Sequence, residues 1–417
     1  MRKKILLKGP LLTRSGYGEQ SRFALRALRS REDLFDIYIQ PLQWGQTSWL
    51  NLLDGERAWI DQTVEKTIAY FQQQGQFDLS LQITIPNEWE GIAPSNVGFT
   101  AGIETTQVSA DWLQIGNQMD RILVVSTHSK WSYENTSYIA TNSETGEQFP
   151  LELKTPIIVA NYPAKTFDKL PELDLKLDYD FNFLAVAQFG PRKNLPNTIK
   201  WFVEEFKDEE VGLVLKTNIA KNCLMDREKV FSDLKNFLSQ FDEHKCKVYL
   251  LHGDMTDEEI HSLYIHPKIK AMVALPHGEG FGLPIFEATY SGLPVVATAW
   301  SGQLDFLVDE DGSECYYDVS FDMHPVQDEV VWDKVLIKES MWAYPREQSA
   351  KEKMRECYSD IVSENENGHS SKSCEYAQKI QERFNKEKMY KNFIDGLLGE
   401  DSAKVATPQE QNVLEFE

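Results

Sequence analysis

The stretch Gly278-Glu279-Gly280-Phe281-Gly282-Leu283-Pro284-Ile285-Phe286-Glu287 follows an apolar run at 271–275 and opens a helical pattern. Three glycines in five residues let backbone amides come close to a ligand. Pro284 suits a first helical turn, where no amide hydrogen is required. A helix N-terminus preceded by free amides is a site for phosphate oxygens. The stretch therefore predicts a loop that holds a nucleotide pyrophosphate. Glu279 and Glu287 would repel phosphate at close range, and they make sense as acceptors for neutral hydroxyls, Glu279 from a sugar and Glu287 from a ribose. Two other readings stand beside this one. The first is a glycine-rich turn with two solvated acids. The second is a glycosidase pair, whose carboxyls should lie ~5 Å or ~6.5–9.5 Å apart. Eight helical positions rise ~12 Å, which disfavours the pair.

Outward from this loop, short β-rich runs alternate with amphipathic segments, as in an α/β fold with parallel sheets. In the first half the strands read 5–8, 36–42, 78–84, 96–101, 121–126 and 156–160. Helical patterns lie between them, among them 57–74 with Trp59, Ile60, Val64, Ile68 and Phe71 on one stripe. After a polar connector at 164–180, a second series follows at 181–189, 211–217, 247–253, 270–276 and 294–299. Helices such as 197–206 and 257–264 separate these strands. Two such series predict two Rossmann-like domains facing a cleft, with ligands beyond the carboxyl ends of the strands. The divisions fall at 1–165 for an N-terminal domain and 166–390 for a C-terminal domain. Residues 391–417 form the terminal helix end and an acidic tail. Within the last part, 364–373 reads as a polar loop and 374–398 as one long helix. Residues 400–417, with five acids and one lysine, read as a disordered tail.

Composition narrows the class. With 417 residues, 41% hydrophobic and 26% charged, the chain is ordinary globular protein, which excludes wholesale disorder and repeat polymers. No apolar run nears the ~20 residues of a membrane span. The basic start (Arg2, Lys3, Lys4) leads into an apolar stretch broken by Lys8, Gly9 and Pro10, too interrupted for a signal peptide. Five scattered cysteines without a CxxC read as reduced thiols of a cytoplasmic protein with no zinc site. The net charge of −22 argues against nucleic acid and anionic membranes, yet the first 31 residues hold nine basic groups and one acid, Glu19. On a helix Arg22, Arg26 and Arg29 share one face. That face is either solvated or a surface for a polyanionic acceptor.

Glu279 and Glu287 with seven residues between them, inside Glu-Gly-Phe-Gly-Leu-Pro and followed by Ser291-Gly292-Leu293-Pro294-Val295, resemble the retaining family 4 glycosyltransferases. In style the chain is also similar to virus-encoded members. The resemblance is strong over 181–307 and weaker before it. It implies the two-domain GT-B fold with a C-terminal helix returning toward the N-terminal domain. It also implies a nucleoside diphosphate sugar as donor substrate, with no cofactor and no metal. By the same resemblance Glu279 meets donor-sugar hydroxyls, and Glu287 holds the ribose. The backbone of Phe281, Gly282 and Leu283, with Gly280 in the same loop, meets sugar and phosphate. Lys193, in Gly190-Pro191-Arg192-Lys193-Asn194, matches the lysine that contacts the diphosphate. The family usually has an arginine at the place of Gln188, so either Arg192 supplies that charge or the phosphates are held more weakly. Stabilising the charge on the departing diphosphate is then most of the catalysis.

Other candidates are weaker. Gly16 and Gly18, in Ser15-Gly16-Tyr17-Gly18, can approach donor phosphate or acceptor. Glu104 ends a strand at the expected cleft, near where relatives place a histidine or acid, and His128 is a second candidate there. Lys216 and His252-Gly253 end strands on the donor side, and His277 directly precedes the loop. Trp300 reads as packing rather than stacking. Asp178-Tyr179-Asp180 matches a metal-binding DxD only superficially and reads as solvent-facing. The expected reaction keeps anomeric configuration, with a phosphate oxygen assisting proton removal. The acceptor is left open among saccharide, lipid-linked, protein and DNA, the last on the model of phage enzymes that modify hydroxymethylated bases. For DNA stand Arg22 and Arg26 on the N-terminal domain; against it stands the overall charge. A nucleotide-sugar epimerase of the same fold and a non-catalytic sugar-binding relative are the rival classes.

Overall fold

Parallel pairing of short apolar strands builds two sheets. The computed structural model describes residues 2–50, 54–142 and 144–399. In chain order the first half supplies β1 (Lys3–Gly9), β2 (Phe35–Pro41), β3 (Leu79–Gln82), β4 (Ser95–Thr100) and β5 (Arg121–Val124). A side hairpin of β6 (Tyr138–Thr141) and β7 (Gln148–Leu151) precedes β8 (Ile157–Val159). The first sheet runs β2-β1-β3-β4-β5-β8, all parallel. The second half supplies β9 (Phe181–Val186), β10 (Val211–Lys216), β11 (Lys247–Leu251), β12 (Ile269–Ala274), β13 (Val295–Thr298) and β14 (Tyr317–Val319). These run β11-β10-β9-β12-β13-β14, again all parallel. Strands of this kind are apolar on both faces because helices cover both, as the fully buried Ile5, Leu6 and Leu7 of β1 show.

Helices fill the crossovers: α1 (Gly16–Arg29), α2 (Gly55–Gln72), α3 (Ala110–Gly116) and α4 (Thr127–Glu134) in the first domain. The second has α5 (Leu195–Glu205), α6 (Leu224–Leu238), α7 (Asp257–Tyr264), α8 (Leu283–Tyr290), α9 (Leu304–Leu307), α10 (Glu347–Val362) and α11 (His369–Arg383). The last, α12 (Lys386–Leu398), returns to the first domain. There Phe393 lies 5.3 Å from Phe23 and 5.5 Å from Phe99, ring to ring. Burying a phenylalanine contributes about 1.5–3 kcal/mol, enough to hold the returning helix in place.

Three expectations change. The stripe Trp59, Ile60, Val64, Ile68 and Phe71 is not the buried face of α2. Ile68 and Phe71 are 53% and 47% exposed, while Ile60, Thr63 and Thr67 are buried. Thr67 Oγ1 accepts the Ile39 amide at 2.9 Å, so a threonine edge seats the helix on β2. The span 374–398 is two helices, because the Asn385 side chain caps a new start by accepting the Lys388 amide, and α11 begins earlier, at His369. The acidic tail at 400–417 lies outside the described residues. Asp178 sits on the surface, paired with Lys247 at 2.6 Å.

The β6–β7 hairpin and β14 have no counterpart in the sequence reading, and neither does the hairpin that follows β14. After β14 the chain forms an antiparallel hairpin of β15 (Phe321–Pro325) and β16 (Met341–Pro345) whose connection reaches the first domain. The Thr106 amide donates to Met341 O at 2.9 Å, and Ser109 Oγ donates to Lys334 O at 2.7 Å.

Candidate functional site

Both sheets reverse strand order beside their first strand, between β1 and β3 and between β9 and β12. Ligands in such sheets sit outside the carboxyl ends at these points. The loops leaving β1, β9 and β12 carry the glycine, lysine and glutamate motifs read from sequence; across the cleft the β12 loop meets the loop after β4, and the β1 loop meets the loop after β11.

The loop after β12 is built on close backbone approach. A Cβ on Gly278 would lie 2.0 Å from Glu104 O, and one on Gly280 would lie 2.0 Å from Ala101 O. From the other side, a Cβ on Gly302 would lie 2.1 Å from Gly280 O. Ser301 Oγ holds the Glu279 amide at 2.9 Å. Gly282 has φ +92°, a conformation only glycine adopts without strain, and turns the chain into α8. Pro284 lies in the first turn and no side chain caps the helix. The start of α8 therefore presents amides at the positive end of a helix dipole.

Four charged side chains gather beside this start. Lys193 Nζ bonds Glu279 Oε1, and Arg192 Nη1 lies 3.0 Å from Glu279 Oε2. Arg192 also donates to Gly278 O at 2.7 Å and stands 3.5 Å from Glu104. Burial alone would raise the pKa of Glu279, but Lys193 and Arg192 hold it below the usual carboxylate range. Burial raises Glu104, with Arg192 opposing and Glu279 reinforcing the shift. Burial and repulsion from Arg192 lower Lys193. Two cations thus share two carboxylates, and either cation can turn to an anion placed at the helix start.

Glu287 faces a second cluster, also at the domain junction. Its Oε2 accepts the Tyr264 hydroxyl at 3.0 Å. Lys165 nearby bridges Glu19 of α1 and Asp257 of α7, each at 2.8 Å. Burial pushes Glu287 up to about 7; Lys165 and Tyr264 pull it down, while Asp257 and Glu19 push it up. The folded state then keeps a proton that a glutamate at its ordinary 4.5 has released. Stability falls as pH rises through that window. Glu287→Gln, which cannot ionise, is expected to gain on wild type by about 2 kcal/mol between about pH 5 and about pH 8. Urea unfolding at both ends of the window checks this; a constant difference contradicts it.

The remaining candidates fall out as follows. Gly16 opens α1 with space beyond its Cα, whereas a Cβ on Gly18 would lie 2.1 Å from Thr13 O, so that glycine serves the turn. Gln188 is exposed and donates to Ile219 O at 2.6 Å. Lys216 donates to Gly253 O at 2.6 Å, with Arg14 and Asp254 close enough to affect its charge. His277 is buried, its Nδ1 2.7 Å from Ala343 O and its ring stacked on Trp342, so it braces β16. His128 opens α4 with its ring 4.8 Å from Trp300.

The expected cationic face on α1 is spent internally. Arg22 is 8% exposed and donates to Leu11 O and Thr13 O at 2.8 and 2.9 Å. Arg26 forms a bidentate pair with Glu56, and Arg29 lies over the Trp59 ring. Sequence reading missed Arg14, which reaches across the cleft to Met255 O at 3.2 Å and Asp254 at 3.3 Å. It also missed Asp305, which caps α4 from the other domain by accepting the Thr127 amide at 2.9 Å. No local motif marks either contact. Among the described residues no helix is long and apolar enough to cross a membrane, and no cluster of His, Cys, Asp and Glu is arranged to hold a metal.

Comparison with known proteins agrees with this geometry. Residues 175–316 match the family model "Glycosyl transferases group 1". No curated protein matches in sequence. Among solved structures, HepE of Anabaena, in complex with UDP and glucose, is similar at 15% identity and TM-score 0.57, covering 95% of this chain and 100% of its own. Sucrose-phosphate synthase of Thermosynechococcus elongatus is similar at 12% identity and TM-score 0.58, covering 94% and 98%. A glycosyltransferase of Rickettsia africae is similar at 12% identity and TM-score 0.57, covering 95% and 99%. The fold is the GT-B arrangement of two Rossmann-like domains. With the matched domain it supports a GT-B glycosyltransferase.

Proposed function

We propose that this chain is a retaining glycosyltransferase of the family 4 type. It moves a sugar from a UDP- or GDP-linked donor to an acceptor hydroxyl. The observation that carries the reading is the uncapped start of α8 in the cleft, flanked by Lys193 and Arg192. A diphosphate laid there takes the amides of the first turn and draws Lys193 from Glu279. Arg192 supplies the positive charge that Gln188 does not. Glu279, freed of Lys193, accepts donor-sugar hydroxyls, and Glu287 exchanges the Tyr264 hydroxyl for those of a ribose. The bond from the anomeric carbon to the diphosphate oxygen breaks as the acceptor oxygen bonds to the same face. The acceptor proton passes to the departing diphosphate. The donor is the substrate, so no cofactor enters. Charge stabilisation at the helix start and positioning in the cleft supply the rate. Five free cysteines support a cytoplasmic location.

A thermal-shift panel of nucleoside diphosphates tests this. UDP or GDP at a hundredfold excess over Kd is expected to add about 2.7 kcal/mol of stability. No shift with either nucleotide overturns the reading. Release of altered monosaccharide without an acceptor would instead identify an epimerase.

A further inference from the structure

Beside the reaction centre lies an aromatic group that the donor has no use for. His128 and Trp131 stand one turn apart on α4, their rings stacked at 6.1 Å between centroids. Trp300, after β13, faces them from the second domain, edge to face with His128 at 4.8 Å and 71°. The group adjoins the catalytic loop: a Cβ on Gly278 would lie 2.8 Å from the Trp300 ring and 2.0 Å from Glu104 O. His128 and Trp300 are in contact here, so a ligand enters only when Trp300 withdraws with the second domain, and whatever it then takes up lies next to Glu104 and Glu279.

Two features of the group call for a ligand. His128 Nε2 is buried and has no hydrogen-bond partner, a state that costs free energy and asks for an explanation. Trp131, on the same face, is 47% exposed. An apolar wall with one placed polar atom is the usual composition of a small-molecule site.

We propose that His128, Trp131 and Trp300 form the acceptor subsite, and that it takes an uncharged saccharide. In this arrangement the apolar face of the sugar ring lies on the indole of Trp131 and one of its hydroxyls bonds His128 Nε2. Trp300 arrives with the second domain and closes over the ring. Burial lowers the pKa of His128 to about 4, with the Thr105 backbone offsetting only part, so the imidazole is neutral and can accept that hydroxyl. The charges around it also favour a neutral ligand. Asp305 is committed to the start of α4, Lys130 pairs with Glu134 at 3.7 Å, and the arginines of α1 are spent on internal partners. A DNA acceptor stacks bases on aromatic rings too, but it needs a cationic groove along its backbone.

The subsite rests on the glycosyltransferase reading, and the experiment separates the two. Wild type is assayed with its nucleotide sugar against a panel of neutral p-nitrophenyl glycosides and against an oligonucleotide containing hydroxymethylcytosine. Transfer to at least one glycoside is expected. Trp131→Ala should raise the glycoside KM about tenfold or more, and Trp131→Phe should recover most of that loss. UDP affinity, measured by calorimetry on the same variants, should move less than about twofold if Trp131 serves the acceptor alone. An unchanged glycoside KM, transfer to none of the glycosides, or transfer to the oligonucleotide alone overturns the subsite. Absence of nucleotide binding in wild type removes the glycosyltransferase reading itself, and the subsite with it.

Discussion

Lys193→Ala is expected to lower kcat by about 10²–10³-fold while the protein stays folded. The lysine ends a single 3-10 turn, Pro191–Lys193, between β9 and α5. The next residue, Asn194, adopts φ +53° and donates to Leu275 O at 3.1 Å, which fixes the turn against the strand that leads to the catalytic loop. The turn sets the ammonium on Glu279 beside the start of α8; on the proposed reading a bound diphosphate has already drawn it off Glu279, so the departure of the diphosphate asks for no further reorganisation. Removing such a preorganised charge from a partly dry site costs about 2.7–4 kcal/mol of transition-state stabilisation. The fold is spared because Glu279 keeps Arg192 at 3.0 Å and is not left as a lone buried carboxylate. Lys193→Arg should recover only part of the loss, since a planar fork does not replace a compact point charge. Release of nucleoside diphosphate measures kcat, and circular dichroism checks the fold. Turnover within about threefold of wild type contradicts the role assigned to Lys193.

What the sequence disclosed follows from range. The two strand series and the 278–287 loop were legible because their signals are local: apolar runs of strand length, glycines where backbone must approach backbone, and a proline where a helix begins. The face of α2 was not, because Thr63 and Thr67 look polar in a helical pattern, and only pairing with the Ile39 amide makes that edge the buried one. The arginines of α1 looked like a free cationic surface for a related reason. Their partners, Glu56 and the carbonyls of Leu11 and Thr13, are set by how a loop and a second helix fold back. Contacts between the domains were the least legible. Arg14 to Met255, Asp305 to Thr127 and Ser109 to Lys334 each join positions more than 170 residues apart. Glu104 was reached by its place at the end of a strand, but its link to Arg192 depends on the two domains meeting. The loop residues whose local structure was legible belong to one domain; the residues that meet them come from its junction with the other.

That junction leads to the second large effect. Gly278→Ala and Gly280→Ala are each expected to cut turnover by about 10²-fold. Neither position requires glycine for its dihedral angles, so the cause is space. The new methyl would fall 2.0 Å from a carbonyl oxygen of the opposite domain, Glu104 O in one variant and Ala101 O in the other. Both contacts are backbone, which cannot rotate away as a side chain does, so the loop or the domain must shift by about an ångström. A displacement of that size at the reacting centre is worth roughly two orders of magnitude in rate. Gly278→Ala also presses on the Trp300 ring, 2.8 Å from its methyl, so it should weaken acceptor use further than Gly280→Ala does. Gly55→Ala is the control: its methyl meets nothing within 4 Å, and turnover should not change. The buried core is continuous across the junction, where Phe281 packs on Tyr162 at 5.1 Å, so the two loop variants should also unfold somewhat below the wild-type temperature, and kcat is compared where all variants are folded. If they turn over like the Gly55→Ala control, the domains do not need this contact for catalysis, and the cleft closes elsewhere.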